Sequence, residues 1–313
     1  MNAITCENLS KRYQRRGPAA LDGVSLTIEQ GQTFALLGHN GAGKSTLMKL
    51  ALGLMRNSGG SLAVLGQDPR GRDAQSLRQQ IGFLPENVAF QGNMTGLETL
   101  AFYARLKGVD IKQCESLLEE VGLPTEARNR AVGGYSKGMR QRLGLAQMLL
   151  GEPKLLLMDE PTTGLDPAQR LAMFDRLQVL QKQYGVTIII STHHLPELEG
   201  RCDRAAILRR GKLVLSGSLD RMRREADLPV TVQVMMSDEE GPIQLAERLG
   251  RAHSRINGHA LKLSCPDHDT AALISDIHGV GIALSDIHIE RPSLDAVYFH
   301  HCQQADQQEG MLS

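Results

Sequence analysis

Hydrophobic positions along the chain change period several times, and each change marks an element. Ile4, Cys6 and Leu9 lie among polar neighbours in an alternation that predicts a half-buried strand. A second alternating run covers 24–28 and stops at the turn Gln30-Gly31. Residues 33–37 are instead continuously apolar, the pattern of a strand covered on both faces. A glycine-rich stretch, 38–43, follows. Leu47, Met48, Leu50, Ala51 and Leu54 then fall at helical spacing and predict a helix over 45–54.

From about 95 to 150 the pattern is helical, with Leu97, Leu100, Ala101 and Ala104 on one face. Two short apolar runs, 155–158 and 187–190, have the length of buried strands and flank a helix predicted over 168–184. Runs at 205–208 and 212–215, joined by Arg210-Gly211, predict a hairpin. Residues 1–222 therefore read as an α/β domain with a helical insertion at about 88–150. A charged segment, 221–227, separates it from a new alternation at 230–234. Helices over 243–249 and 269–277 and strands over 260–263 and 282–289 complete a small α+β domain at 228–302. Residues 303–313 are polar and are expected to form a flexible tail.

Composition narrows the function. The 35 basic and 35 acidic residues cancel, which argues against nucleic acid as the main partner. Aromatics are 4% and Trp is absent, which speaks against an aromatic stacking platform for nucleic-acid bases. The five cysteines form no CxxC pair and are odd in number, as expected in a reducing compartment. The first residues lack an apolar signal core. No apolar run approaches the roughly 20 residues a membrane span requires, so a membrane role must come through a partner.

The glycine-rich stretch carries the first specific chemistry. Gly38-His39-Asn40-Gly41-Ala42-Gly43-Lys44-Ser45 fits G-x-x-x-x-G-K-[ST], between a predicted strand and a predicted helix. Glycines let backbone N–H groups wrap a phosphate, and the helix N-terminus faces the same charge. Lys44 can reach the β- and γ-phosphates, and the Ser45 hydroxyl can bind Mg²⁺. A plain glycine-rich turn would not need this context. Asp159 and Glu160 end the apolar run 155–158. Carboxylates there face the crevice where α/β sheets hold ligands. Asp159 is the candidate Mg²⁺ holder and Glu160 the candidate base that takes a proton from, or orients, the attacking water. Without the upstream loop, an acidic turn before Pro161 would explain them equally well.

Three further motifs narrow the class. Tyr135-Ser-Lys-Gly-Met139, continued by Arg140-Gln-Arg-Leu-Gly-Leu-Ala-Gln147, resembles the signature motif and helix of the ABC ATPases. Gly164-Leu-Asp166-Pro167 resembles their D-loop, and Ser191-Thr-His193 their switch-histidine loop. In order and spacing, residues 3–218 are similar to that family. The resemblance implies a P-loop NTPase core with an antiparallel β subdomain and a helical subdomain. It also implies Mg-dependent ATP hydrolysis by a homodimer paired head to tail. ATP would lie between the loop of one copy, through Thr46, and Ser136 and Gly138 of the other. His193 would contact the γ-phosphate, Asp166 would sit in the D-loop beside the nucleotide, and Tyr13 would stack on adenine. The implied partners are integral membrane permease subunits, at the cytoplasmic face of the inner membrane. The sequence departs from the family in two places, at three positions. Lys137 and Met139 replace Gly and Gln in the signature, and Glu86 stands where the family has a metal-contacting glutamine.

Local strings narrow the resemblance further. Gly38-His-Asn-Gly41, 83–88, 135–147 and 287–294 resemble a subfamily that assists assembly of the copper centres of periplasmic nitrous-oxide reductase. That subfamily implies a periplasmic accessory protein as well. Multidrug-type and sodium-export ATPases share the Pro-Ser-Leu string and are the alternative, with a non-transport ABC ATPase behind them. Seven of the ten histidines lie beyond residue 250, and His300-His301-Cys302 is a soft-metal candidate. The other five lack chelating spacing, and packing is the expected role of Cys302.

Overall fold

The protein is described by a computed structural model covering residues 1–237, 239–250, 253–256 and 258–311. It forms two compact units, one ending at Gly217 and one beginning at Ser218.

In the first unit the chain runs through β1 (Asn2–Arg12), β2 (Ala19–Glu29), β3 (Thr33–Leu37), α1 (Lys44–Ala51), β4 (Gly59–Val64), α2 (Ala74–Gln79) and β5 (Ile81–Leu84). Four helices follow without a strand: α3 (Gly96–Lys107), α4 (Gln113–Glu120), α5 (Thr125–Arg128) and α6 (Lys137–Leu149). The unit ends with β6 (Leu155–Asp159), α7 (Pro167–Tyr184), β7 (Thr187–Thr192), β8 (Arg204–Arg209) and β9 (Lys212–Gly217).

The strands make two sheets. β2, β1 and β4 form an antiparallel sheet in that order. The other has the order β5-β6-β7-β3-β8-β9, parallel except for the β8–β9 hairpin. All five residues of β3 and all five of β6 are buried, which explains their unbroken apolar runs. Phe34 and Leu36 pack in one core with Leu47 and Met48 of α1, Leu157 of β6, Ile189 of β7, and Leu9 and Leu21 of the antiparallel sheet. Each such buried side chain contributes about 1.5–3 kcal/mol, so this core fixes α1 against the sheet.

Local chemistry sets the helix ends. Thr95 and Glu98 form a reciprocal capping box at α3, with bonds of 3.2 and 2.8 Å. Asp166 caps α7 through the Gln169 N–H at 2.8 Å, and Pro167 opens that helix.

The second unit comprises α8 (Leu219–Ala226), β10 (Val230–Met236), α9 (Gly241–Leu249), β11 (His253–Ile256), β12 (Ala260–Cys265), α10 (Thr270–Gly279), β13 (Leu284–Glu290) and α11 (Leu294–Met311). Its sheet is antiparallel throughout, in the order β11-β12-β10-β13. From β10 to β13 the chain follows the split β-α-β-β-α-β pattern. Val232, Val234, Leu261 and Leu263 bury against Leu245, Leu273 and Ile277 of the helices.

Three expectations change. The segment 221–227, read as a charged link, is mostly helix α8 and belongs to the second unit. A strand, β11, stands where no strand is expected; its side chains lie outside the described residues. The expected tail continues helix α11 through Met311, because Leu294, Val297, His301 and Cys302 bury one face of it. The last two residues of that tail lie outside the described residues.

Candidate functional site

The order of the parallel strands brings the sequence motifs together. β5, β6, β7 and β3 are consecutive neighbours, so their C-terminal ends share one edge. Asp159 and Glu160 leave β6, Ser191 to His193 leave β7, and the glycine loop leaves β3. Glu86 lies two residues beyond β5 and is exposed.

The loop needs its glycines. Gly43 has φ +113, and a Cβ there would come within 2.7 Å of the Ala20 carbonyl and of Leu21 Cδ2. Only glycine fits that conformation and that approach. Lys44 is 5% exposed, and its ammonium folds back over the loop. It donates to the Gly38 carbonyl and, at 3.4 Å, to the His39 carbonyl. Thr46 bonds the Tyr13 hydroxyl at 3.2 Å, which holds an exposed aromatic ring beside the start of α1. His39, Asn40 and Gly41 are exposed at the loop's crest, whereas Gly38 and Ala42 are buried and Ser45 is half-buried.

The acidic side is built by strand register. Asp159 and Ser191 are register partners. The Ser191 hydroxyl donates to Asp159 Oδ1 at 2.6 Å and accepts the Glu160 N–H at 3.0 Å. Glu160 itself has φ +48, a conformation rarely adopted by a residue with a side chain. Its carboxylate is 8% exposed and engaged on both oxygens. Lys44 Nζ faces Oε1 at 3.2 Å, an ion pair without hydrogen-bond alignment. His193 Nδ1 lies 2.7 Å from Oε2. The His193 ring is also tilted against His194, with centroids 4.1 Å apart.

Lys44, Asp159, Glu160 and His193 thus form one cluster. Ser136 and Gly138 do not join it: among the described residues no hydrogen bond or ion pair links them to these four. Ser136 caps α6, accepting the Met139 N–H at 3.2 Å, and is exposed. Tyr135 anchors that segment by donating to the Ala127 carbonyl at 2.6 Å, and burial pushes its phenol pKa up. Asp166 caps α7 and makes no bond to the cluster. Ser191 lies in the switch-histidine string, but motif reading gives it no role; in the structure it joins Asp159 to the Glu160 backbone. Its signal is a polar residue at the end of a buried strand, 0% exposed.

Among the described residues, no group of three or more His, Cys, Asp or Glu could hold an ion. His301 Nε2 lies 3.3 Å from the Met222 carbonyl, and His300 bonds Gln304 at 2.8 Å. No helix among the described residues is long and apolar enough to cross a membrane.

Comparison with known proteins adds a second line. A family model described as ABC transporter matches residues 21–163. An uncharacterized ABC transporter ATP-binding protein of Nostoc sp., all4389, is 46% identical over 208 residues, covering 65% of this chain and 61% of that one. The daunorubicin resistance ATP-binding protein DrrA3 of Streptomyces coeruleorubidus is 32% identical over 307 residues, 95% of each chain. A solved structure of an ATP-binding subunit of an ABC transporter superposes with TM-score 0.64 at 31% identity, covering 71% of this chain and 92% of that one.

Proposed function

This chain belongs to the ABC transporter ATP-binding proteins, a family of ATPases, and from that premise we propose that it powers a membrane permease as a head-to-tail homodimer. The observation that carries the proposal is the convergence of Lys44, Asp159, Glu160 and His193 beside the glycine loop. Backbone N–H groups of residues 38–46 cradle the phosphates, and Lys44 swings from Glu160 onto them. Tyr13 stacks on the base. The Ser45 hydroxyl and the Asp159 and Glu86 carboxylates are hard oxygen donors of the type that suits Mg²⁺. A Mg²⁺ ion held by these oxygens would neutralise phosphate charge.

Glu160 then receives the proton of the attacking water, while His193 orients its carboxylate and reaches the γ-phosphate. Among the described residues no hydrogen bond or ion pair joins Ser136 or Gly138 to their own chain's cluster, and Ser136 is exposed, which supports their acting on the nucleotide of a second copy. Asp166 lies on the segment that would border the same interface. ATP then joins the pair, and hydrolysis releases it. The chain works at the cytoplasmic face of the inner membrane, held by permease subunits.

The cargo reading is narrower. Local sequence strings favour a NosF-like role in assembling the copper sites of nitrous-oxide reductase, with a periplasmic accessory protein. Similarity to a daunorubicin resistance protein along 95% of both chains favours a drug exporter as the second reading. Deleting the gene distinguishes them. The first reading requires exported nitrous-oxide reductase that lacks copper; the second requires drug sensitivity with a copper-loaded enzyme. Failure of the tagged chain to co-purify with a polytopic membrane protein would overturn both.

A further inference from the structure

The signature helix and the segment following Glu160 are fastened together in one chain. Gln141, on the second turn of α6, is 2% exposed. Its Nε2 donates to the Pro161 carbonyl at 2.8 Å, immediately after Glu160. One turn earlier, Gly138 leaves room for the Gln169 amide; a Cβ on Gly138 would lie 2.9 Å from Gln169 Oε1. The Lys137 ammonium lies against Gly164 so closely that a side chain at Gly164 would collide with it. Residues 137, 138 and 141 therefore grip residues 161, 164 and 169.

Two features show that this grip is not a rigid weld. Gln141 Oε1 is buried without a hydrogen-bond partner, although its Nε2 donates to Pro161. A cavity of about 40 Å³ lies beside it, lined by Gly138, Gln141 and Gln169 among others. Free volume next to an unsatisfied amide permits a second arrangement of the same groups. The Pro161 carbonyl adjoins the one residue of the cluster held at positive φ, Glu160 at +48. That carbonyl is one residue from the Glu160 Cα, so a shift of it bears on the backbone that carries the carboxylate.

We propose that Gln141 is a positioning residue through which nucleotide at the signature of a chain is felt by Glu160 of the same chain. The inference rests on the head-to-tail pairing proposed above. Phosphate of the partner's nucleotide, bound at Ser136, moves the N-terminus of α6. Gln141 passes that movement to Pro161 and so to the carboxylate 2.7 Å from His193. Each active site thereby responds to occupancy of the other.

The test uses the full chain and Gln141→Met, which keeps the side-chain volume and removes the donor. Steady-state ATPase activity is measured against ATP concentration. ATP-driven dimerisation is measured by light scattering in the Glu160→Gln background, with and without Gln141→Met. The expected result is a turnover lowered about tenfold, a KM within twofold, a Hill coefficient falling to about 1, and an unchanged trapped dimer. Unchanged turnover and Hill coefficient in a chain that dimerises would overturn the relay alone. Loss of the trapped dimer together with activity would reduce Gln141 to a structural role. A wild-type chain that stays monomeric with ATP and hydrolyses it without cooperativity would overturn the pairing, and the relay with it.

Discussion

Replacing Glu160 by Gln separates binding from chemistry, and the structure gives both effects a size. The carboxylate faces Lys44 Nζ at 3.2 Å and His193 Nδ1 at 2.7 Å. At that separation the attraction to Lys44 is about 5 kcal/mol for an effective dielectric of about 20. Desolvating two buried charges offsets most of it, leaving about 1 kcal/mol. ATP must displace this pair to reach Lys44. The neutral amide removes the competition, so ATP affinity should rise by about fivefold. Hydrolysis should fall by about 10²–10⁴, the usual contribution of a positioned general base. Equilibrium binding of ATP by calorimetry and phosphate release under saturating ATP read the two quantities independently. Turnover within tenfold of wild type would refute Glu160 as the base. Weaker ATP binding by the variant would refute the competition between Glu160 and phosphate for Lys44.

Other perturbations probe the supports of this site. His193→Ala removes the 2.7 Å partner of Glu160 and should lower turnover by 10-fold or more, on the order expected for an orienting group, with little change in ATP affinity measured by calorimetry. Ser191→Ala strips a bond from Asp159 and one from the Glu160 N–H. It should cost about 1–3 kcal/mol in urea unfolding and weaken the Mg²⁺ dependence of activity. Cys6 is buried, and its thiol is pushed up from 9.0 to about 11 by desolvation. The unfolded thiol ionises first, so stability holds below pH 9 and falls as pH rises to about 11. The loss reaches on the order of 2–3 kcal/mol. Cys6→Ala should flatten that part of the stability profile; an unchanged slope would show that other groups cause it.

Legibility followed burial. β3, β6 and β7 are covered on both faces, and their continuous apolar runs locate them within a residue or two. α8 was hidden because Arg221, Arg223 and Arg224 surround Leu219, Met222 and Ala226, so a helical spacing reads as a charged link. α11 was hidden because its buried face includes His301, a polar residue that hydrophobic periodicity does not count. β11 carries His253, Ser254 and Arg255, and only pairing with β12 makes it a strand. In the site, residues with fixed motif spacing were legible: Lys44, Asp159, Glu160 and His193. Ser191 and Gln141 were legible only as polar residues in buried places, because their partners lie 32 and 20 positions away in sequence.

The strand order also explains a property that no single motif contains. β7 follows β6 in sequence, yet in the sheet it lies between β6 and β3. That interposition sets His193 on one side of Glu160 while the loop from β3 supplies Lys44 on the other. Both carboxylate oxygens are therefore occupied by the chain's own cations or donors before nucleotide arrives. Oε1 is held by charge alone and Oε2 by a hydrogen bond. If Glu160 is the base proposed above, phosphate that draws Lys44 away leaves Oε1 to the attacking water. A Lys44→Met variant leaves Glu160 paired with His193 alone and the loop without its ammonium for phosphate. It should lose ATP binding, and the His193–Glu160 contact alone should not restore activity.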